Sequence, residues 1–547
     1  MKRRLVLVFC VLSLLTRIHA QDGVSPPNTA TLAGTVVKEP GSQPLKKVLL
    51  HFIAEDQKQG GNYTADTDSE GHFRIEKIQP GRYRLLLEKT GFHQVNLRGH
   101  QSEGAILSVQ PGQDVNDLLF QMLPAAVITG KVVDEDGEPL PGYGVSLLRK
   151  RPGKSREPEV VGNERTNDLG EYRFGGLFPG QYLLAVIPLP DTRNFEHLAK
   201  ESNGAASTQD LNYLVTYYPG TTDSAQAAAI SLRAGDEMPV NFTMVPGRTY
   251  RVRGIVTGVP ANQKPIVQVI SKGVNNTMNA TEVAADGQFE VRGMAPGSYT
   301  ITVFSGSEGT FLTARESVTV VAADVEGLKL VPVRPFTVTG HLRLEGSMSK
   351  HVTDFTASLG PAPDADDNGM SISVEGWNAK VDRFGNFQWT NVAPGKYVAS
   401  VYLDSSDDSF LKPVTVGNSA ADPGFSVTGP TTIELVIGSR AGVLEGAVLD
   451  QDKPASNATV VAVPEEKYRK LHERYGVGSA DQNGRFTIHG LAPGSYTVFA
   501  WHDTDEGLYY DPAFLKSQES NGMALKIEEG SRHKIELKLA PVSDDWQ

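Results

Sequence analysis

A thirteen-residue block, Gly-x-[Phe/Tyr]-x-apolar-x-x-apolar-x-Pro-Gly-x-Tyr, occurs five times without a gap. It runs from Gly71 to Tyr83, Gly170 to Tyr182, Gly287 to Tyr299, Gly385 to Tyr397 and Gly484 to Tyr496. Its prolines, Pro80, Pro179, Pro296, Pro394 and Pro493, lie 99, 117, 98 and 99 residues apart. A period near 100 residues is the length of a whole domain and exceeds the unit of a solenoid. A chain of 547 residues with this period reads as a tandem array of domains.

The block sits at the same place in a larger unit. Each unit opens on a short strand pattern around a glycine, at Gly34, Gly130, Gly254, Gly340 and Gly446, with apolar residues two positions to either side. Alternation at period two marks a half-buried strand. Second strands are expected at Val48 to Phe52, Val145 to Leu148 and Thr459 to Val463. The block reads as strand, turn, strand. Asp68, Asn167, Asp382 and Asp481 each stand three residues before the block glycine, where such side chains favour a turn; copy three has Ala284 there and moves its acid to Asp286. The Pro-Gly pair suits the centre of a type II turn. Each unit closes on a strand near Val115 to Met122, Met238 to Met244, Val325 to Leu330, Thr432 to Ile437 or His533 to Leu539.

No Gly/Ser-rich or Pro-rich linker separates the units. The expected fold is all-β, a tandem array of five antiparallel Greek-key β-sandwich domains placed end to end. At ~3.3 Å per strand residue such a rod spans on the order of 150 Å. The boundaries expected are 28–123, 124–246 with an insert at 191–218, 247–333, 334–440 and 441–541, after a signal peptide at 1–20. The insert suggests a short helix near Phe195 to Lys200. Unit five suggests helices at Glu465 to Arg474 and near Pro512 to Ser517.

The signal reading rests on basic Lys2, Arg3 and Arg4, an apolar run from Leu5 to Leu15 and small Ala20 before Gln21. That run is shorter than a membrane span. The one cysteine, Cys10, lies inside it, so the exported chain is expected to hold no disulfide and no thiol nucleophile. Cleavage also removes Lys2, Arg3, Arg4 and Arg17, which takes the net charge from −12 to about −16. The acids are dispersed and no basic stripe stands out, so nucleic acid is a poor partner candidate. No integral membrane span is expected after cleavage.

The block, preceded by the opening from Gly130 to Leu140, resembles the carboxypeptidase regulatory-like domain, and unit two carries the fullest match. That family is similar to transthyretin-like (prealbumin-like) sandwiches, to B-type repeats of bacterial adhesins and to starch-binding, carbohydrate-binding-like modules. The resemblance implies an accessory domain without the peptidase. One His-x-x-Glu occurs, at His100 and Glu103, in a polar loop with no α/β domain to hold it. A zinc site needs three or four converging ligands, and none can be assembled from this sequence. The adhesin likeness also raises Lys–Asn isopeptide links. Lys38 and Lys131 lie by first strands, and Asn116 and Asn241 in last strands.

No Gly-x-Ser-x-Gly, His-Glu-x-x-His or Walker-type loop appears, so no catalytic residue, metal or cofactor is assigned. Turn chemistry accounts for Asp68, Asp382 and Asp481 better than calcium does. The acids of Asp364 to Asn368 read as a solvated loop. Trp389, replacing an aliphatic residue or Phe of other copies, reads as core. Trp377, Trp501, His502, Tyr509, Tyr510, Tyr217 and Tyr218 lie outside the repeated core positions. The last six are the candidate ligand-binding residues, since flat aromatic faces beside polar groups stack on sugars. The alternative is that their loops fold back over the sandwich edge. The expected function is a non-catalytic exported binding or spacer protein of the cell envelope or extracellular space, with an envelope protein or polysaccharide as partner. Carbohydrate binding through the aromatic loops of units two and five is the alternative, and an accessory role in a metallocarboxypeptidase system a remote one.

Overall fold

The computed structural model describes residues 29–55, 61–95, 104–150, 158–188, 211–260, 263–271, 278–305, 312–362, 378–403, 408–502, 504 and 507–543. Every unit is a facing pair of sheets. In unit one, the first sheet holds the opening strand Ala30–Lys38, the block strand His72–Ile78 and the last strand Asp114–Pro124. The second holds Tyr63–Asp66, Leu49–Ala54, Gly81–Glu88 and Ala105–Val109, in that order. Unit five repeats this with Gly442–Asp450, Arg485–Leu491 and Arg532–Lys538 against Gly476–Ser479, Thr459–Pro464, Gly494–Trp501 and Met523–Ile527. Five large buried clusters draw on both sheets of one unit each, as where Leu32 and Val36 join Phe52 and Leu85. Trp389 is in the core of unit four, 1% exposed, its indole N–H donating to the Ala357 carbonyl at 3.3 Å.

The block joins the two sheets. His72–Ile78 pairs with the opening strand, whereas Gly81–Glu88 pairs with Leu49–Ala54 in the other sheet. The Pro-Gly pair therefore turns a corner between sheets rather than a hairpin. Its glycine already belongs to the closing strand, with φ of 159°, 153° and 159° at Gly81, Gly180 and Gly297, far from the about +80° of a type II turn. A tyrosine fixes each corner. The hydroxyls of Tyr83, Tyr182, Tyr299, Tyr397 and Tyr496 donate to the carbonyls of Gln79, Phe178, Ala295, Ala393 and Ala492 at 2.7, 2.8, 2.7, 2.9 and 2.9 Å. The ring is buried in four copies and half-buried at Tyr299, while the hydroxyl satisfies a carbonyl that the corner takes out of any ladder.

The turn before the block follows its expected chemistry. Asp68 Oδ1 accepts from the amides of Glu70 and His72, both at 2.9 Å, and Asn167, Asp382 and Asp481 do the same one unit after another. In copy three Asp286 accepts from the Gln288 amide. The block glycine takes φ between 73° and 88° in all five copies.

The first and last strands of every unit run parallel, unlike the other ladders. The antiparallel pairing expected holds in the other ladders. A parallel neighbour needs a long crossover, and here the whole second sheet supplies it. The opening glycine permits the close approach. A Cβ at Gly130 would stand 1.7 Å from the Val240 carbonyl oxygen, and one at Gly34 would stand 2.2 Å from that of Leu118.

The units do not form an open rod. Ser108 of unit one is hydrogen-bonded to Gln482 of unit five, so the two ends of the array meet. Short junctions set the path. One residue separates Asp114–Pro124 from the next opening strand Ala126–Val133, and three separate Thr431–Gly438 from Gly442–Asp450. Among the described residues the one α-helix is Pro512–Gln518, started by Pro512 and capped by Asp511, which accepts from the amides of Ala513 and Phe514. The helix expected over Glu465 to Arg474 is instead two 3₁₀ turns, Glu466–Tyr468 and His472–Arg474, neither with a side-chain N-cap. The helix expected near Phe195, the acids of Asp364 to Asn368, Trp377, His100, Glu103 and the segment 1–28 lie outside the described residues.

Candidate functional site

Four of the six aromatic and histidine candidates, Trp501, Tyr509, Tyr510 and Tyr217, fall into two covers over the outer face of a second sheet. In unit five Trp501 is 0% exposed. It stacks on Phe499 at 4.9 Å, meets Phe514 at 5.3 Å, and its indole N–H donates to Gln518 Oε1 at 3.2 Å. Val461, Val463, Phe499 and Trp501 form the sheet side of this cluster, and Leu508, Tyr509, Phe514 and Leu515 the cover. Tyr509 is buried, and His502 and Tyr510 are half-buried. Tyr510 stacks on His472 at 3.8 Å. Trp501 thus has no open face for a sugar, because Leu508, Tyr509, Phe514 and Leu515 cover it.

Unit two has a smaller cover. Tyr217 is buried against Leu148, Leu183 and Ala185, and its strand pairs with Gly180–Ile187 through Ala185. Burial, and then Asp223, push its phenol pKa up. Tyr218 packs on the main core, edge to face with Phe242 at 6.2 Å. The structure brings Trp501 and Tyr509 together and joins Tyr510 to them through Tyr509, at 4.7 Å. Of the unit-two pair, Tyr217 belongs to a separate cover and Tyr218 to the main core. A sequence signal for both was available. Tyr182 to Ile187, Val460 to Val463 and Val498 to Trp501 are runs in which alternation is lost, and a strand buried on both faces reads as such a run.

Several polar side chains lie at the contacts between units. At the unit one–two junction, His93 stacks on Phe178 with centroids 3.6 Å apart. An open cleft of ≈ 480 Å³ beside it is lined by His51, Ile53, Leu86, Leu87, Glu88, Gln94 and Phe178. Burial pulls the His93 imidazole pKa down, the nearby backbone of Gly176 and Leu177 opposes this, and the Arg149 charge adds to the lowering. At the unit four–five junction, Asp422 receives the Tyr468 hydroxyl and lies 3.4 Å from Lys467. There Asp408 bridges His489 at 3.2 Å and Arg532 at 3.9 Å, over an apolar contact of Phe410, Ala441 and Ala492. At the unit one–five contact, Asp481, Gln482, Ser108, Arg82 and Glu55 meet. None of these junction residues was singled out as a site from sequence, because their partners are set by the packing of units.

No cluster of three or more histidine, cysteine, aspartate or glutamate side chains able to hold a metal occurs among the described residues. The isopeptide geometry is not assembled there either. Asn241 Oδ1 accepts from the backbone amide of Lys131 at 2.9 Å, and Asn116 is exposed on a last strand whose register sets Lys38 beside Met122. No described helix is long and apolar enough to cross a membrane.

Residues 31–122 and 127–245 match the carboxypeptidase regulatory-like domain. The two matched stretches stand in tandem. These two matches fall on units one and two, and units three to five repeat their corner, turn and parallel pair. Colossin-A of Dictyostelium discoideum is 20% identical over 476 residues, covering 80% of this chain; the chain spans 4% of that protein's length. Among solved structures this chain is similar to the Bacillus anthracis TIE protein (12% identity, TM-score 0.17, 56% of this chain and 51% of that one). It is also similar to the minor pilin GBS52 of Streptococcus agalactiae (17% identity, TM-score 0.21, 42% of this chain and 99% of that one).

Proposed function

We propose that this chain is a non-catalytic protein of the cell surface or extracellular space, a spacer or binding array of five domains bounded at 28–123, 124–246, 247–333, 334–440 and 441–541. The observation that carries this reading is the use of its polar groups. The recurring ones close turns and corners within a unit, as the five tyrosine hydroxyls do. Several of the variable ones hold unit to unit, as Asp408 and Asp422 do. Such a molecule sets distances and presents faces. Export by residues 1–20 and an envelope protein or polysaccharide as partner belong to the same proposal.

Protease shaving of intact source cells tests it, with mass spectrometry of the released peptides. The expected result is shaving of the array from outside the cell and a mature N-terminus at Gln21. A chain confined to the cytosol with Met1 to Ala20 retained overturns the location. Chelator-sensitive peptidase activity of the purified protein overturns the non-catalytic reading.

A further inference from the structure

The contact between the two ends of the array is a built docking surface. Ser108 lies in Ala105–Val109, the edge strand of the second sheet of unit one. Its inward neighbour on the ladder is Arg82. An edge strand leaves backbone groups unpaired, which is an open template for another chain. Here the Gln482 carboxamide takes both groups of one residue. The Ser108 amide donates to Gln482 Oε1 at 2.9 Å, and Gln482 Nε2 donates to the Ser108 carbonyl at 2.7 Å. A side-chain amide has the donor and acceptor pair of a peptide group, so it imitates one residue of an added strand.

Beside it, the Ser108 hydroxyl donates to Asp481 Oδ2 at 2.5 Å. The other oxygen, Oδ1, accepts from the amides of Asn483 and Arg485 and so closes the unit-five turn. Arg82 Nη1 lies 3.9 Å from Asp481 Oδ2, and its Nε lies 2.9 Å from Glu55. The corresponding turn residues elsewhere are exposed: the Asp68 side chain is 58% exposed, whereas that of Asp481 is 1% exposed. Unit one therefore covers in unit five what stays open in the other copies. The copies of Gln482 in the other turns are Ser69, Asp168, Ala285 and Arg383. None of these carries a carboxamide.

We propose that the edge strand around Ser108 is the docking surface for the Asp481-Gln482 turn of the same chain, and that this clasp closes the array on itself. The clasp is reversible. Its release returns Asp481 to the solvated state that Asp68 already occupies, and no core residue leaves its unit. An opened array is an extended one.

Small-angle scattering on the full chain, wild type against Ser108→Ala/Gln482→Ala, tests the proposal. Both side chains lie outside the five cores, and an unchanged thermal transition and circular dichroism check that the variant is folded. The expected result is a wild-type maximum dimension well short of the on the order of 150 Å rod, and a clear shift to longer dimensions in the variant. A wild type of rod length, or a folded variant as compact as wild type, overturns it. A second measurement identifies the occupant. In a Cys10→Ser background, Gln110→Cys/Asn483→Cys treated with a bis-maleimide is expected to give a cross-linked monomer. A cross-linked dimer assigns the turn to a second copy and overturns the intramolecular clasp.

Discussion

A tyrosine hydroxyl at each sheet-to-sheet corner shows how much rests on single groups. The corner carbonyl has no ladder partner, and the phenol satisfies it while the ring fills the core. Replacing Tyr496 by Phe is expected to cost about 1 kcal/mol, the net worth of one such bond, measured by denaturant unfolding. The same burial sets an alkaline limit. Desolvation pushes the phenols of Tyr83, Tyr299 and Tyr496 from 10.0 up to about 12. The folded chain then holds these protons more tightly than the unfolded one. The stabilisation is complete below pH 10 and is lost as pH rises from there through about 12. Phenolate absorbance and circular dichroism, followed together, are expected to change in that window. Ionisation of all tyrosines near pH 10 with the fold intact would contradict this.

At the scale of elements, a bulge recurs where the block strand meets the opening strand. The register slips between Ala30 and Leu32 in unit one, and at the same place in the other four units. The bulged residue has a left-handed backbone in every copy, φ 58° to 74° at Lys77, Gly176, Gly293, Asn391 and Gly490. Three copies meet that demand with glycine and one with asparagine, and Lys77 does so against its side chain. Lys77→Gly is expected to raise the stability of unit one by about 1 kcal/mol in denaturant melts. The cover of unit five gives the opposite case. Trp501→Ala removes a wholly buried indole and is expected to cost about 3–5 kcal/mol, read as a lower melting transition. A variant as stable as wild type would place Trp501 outside the core.

For the whole molecule, what matters is how unit meets unit. His93 Nε2 is buried without a hydrogen-bond partner among the described residues, and the ring is stacked on Phe178 of the next unit. Its lowered pKa means that the packed junction binds fewer protons than the opened one. Junction stability is therefore present above the ordinary histidine pKa of about 6.5 and is lost as pH falls below it. Hydrogen exchange at Gln94, Val95 and 176–178 is expected to quicken between pH 7.5 and 5 in wild type and to stay flat in His93→Phe. Arg149 is the charged group that acts on this ring, and its charge opposes protonation further.

From the sequence alone came the repeat, the all-β class, the turn acids and the core role of Trp389, because each depends on residues near one another in the chain. The left-handed bulge has a local signal in Gly176, Gly293 and Gly490 that went unread, because the other two copies carry Lys77 and Asn391 there. The Pro-Gly corner was not legible. Proline and glycine favour a turn, but whether the strands they join share a sheet depends on partners 29 to 48 residues away. The parallel pair, the burial of Trp501 and the meeting of Ser108 with Gln482 were settled by tertiary structure. In each, one side chain or backbone group has alternatives of similar local energy, water or a distant partner. Packing of sheets and units over 373 residues of separation, as for Ser108 and Asp481, selects between them.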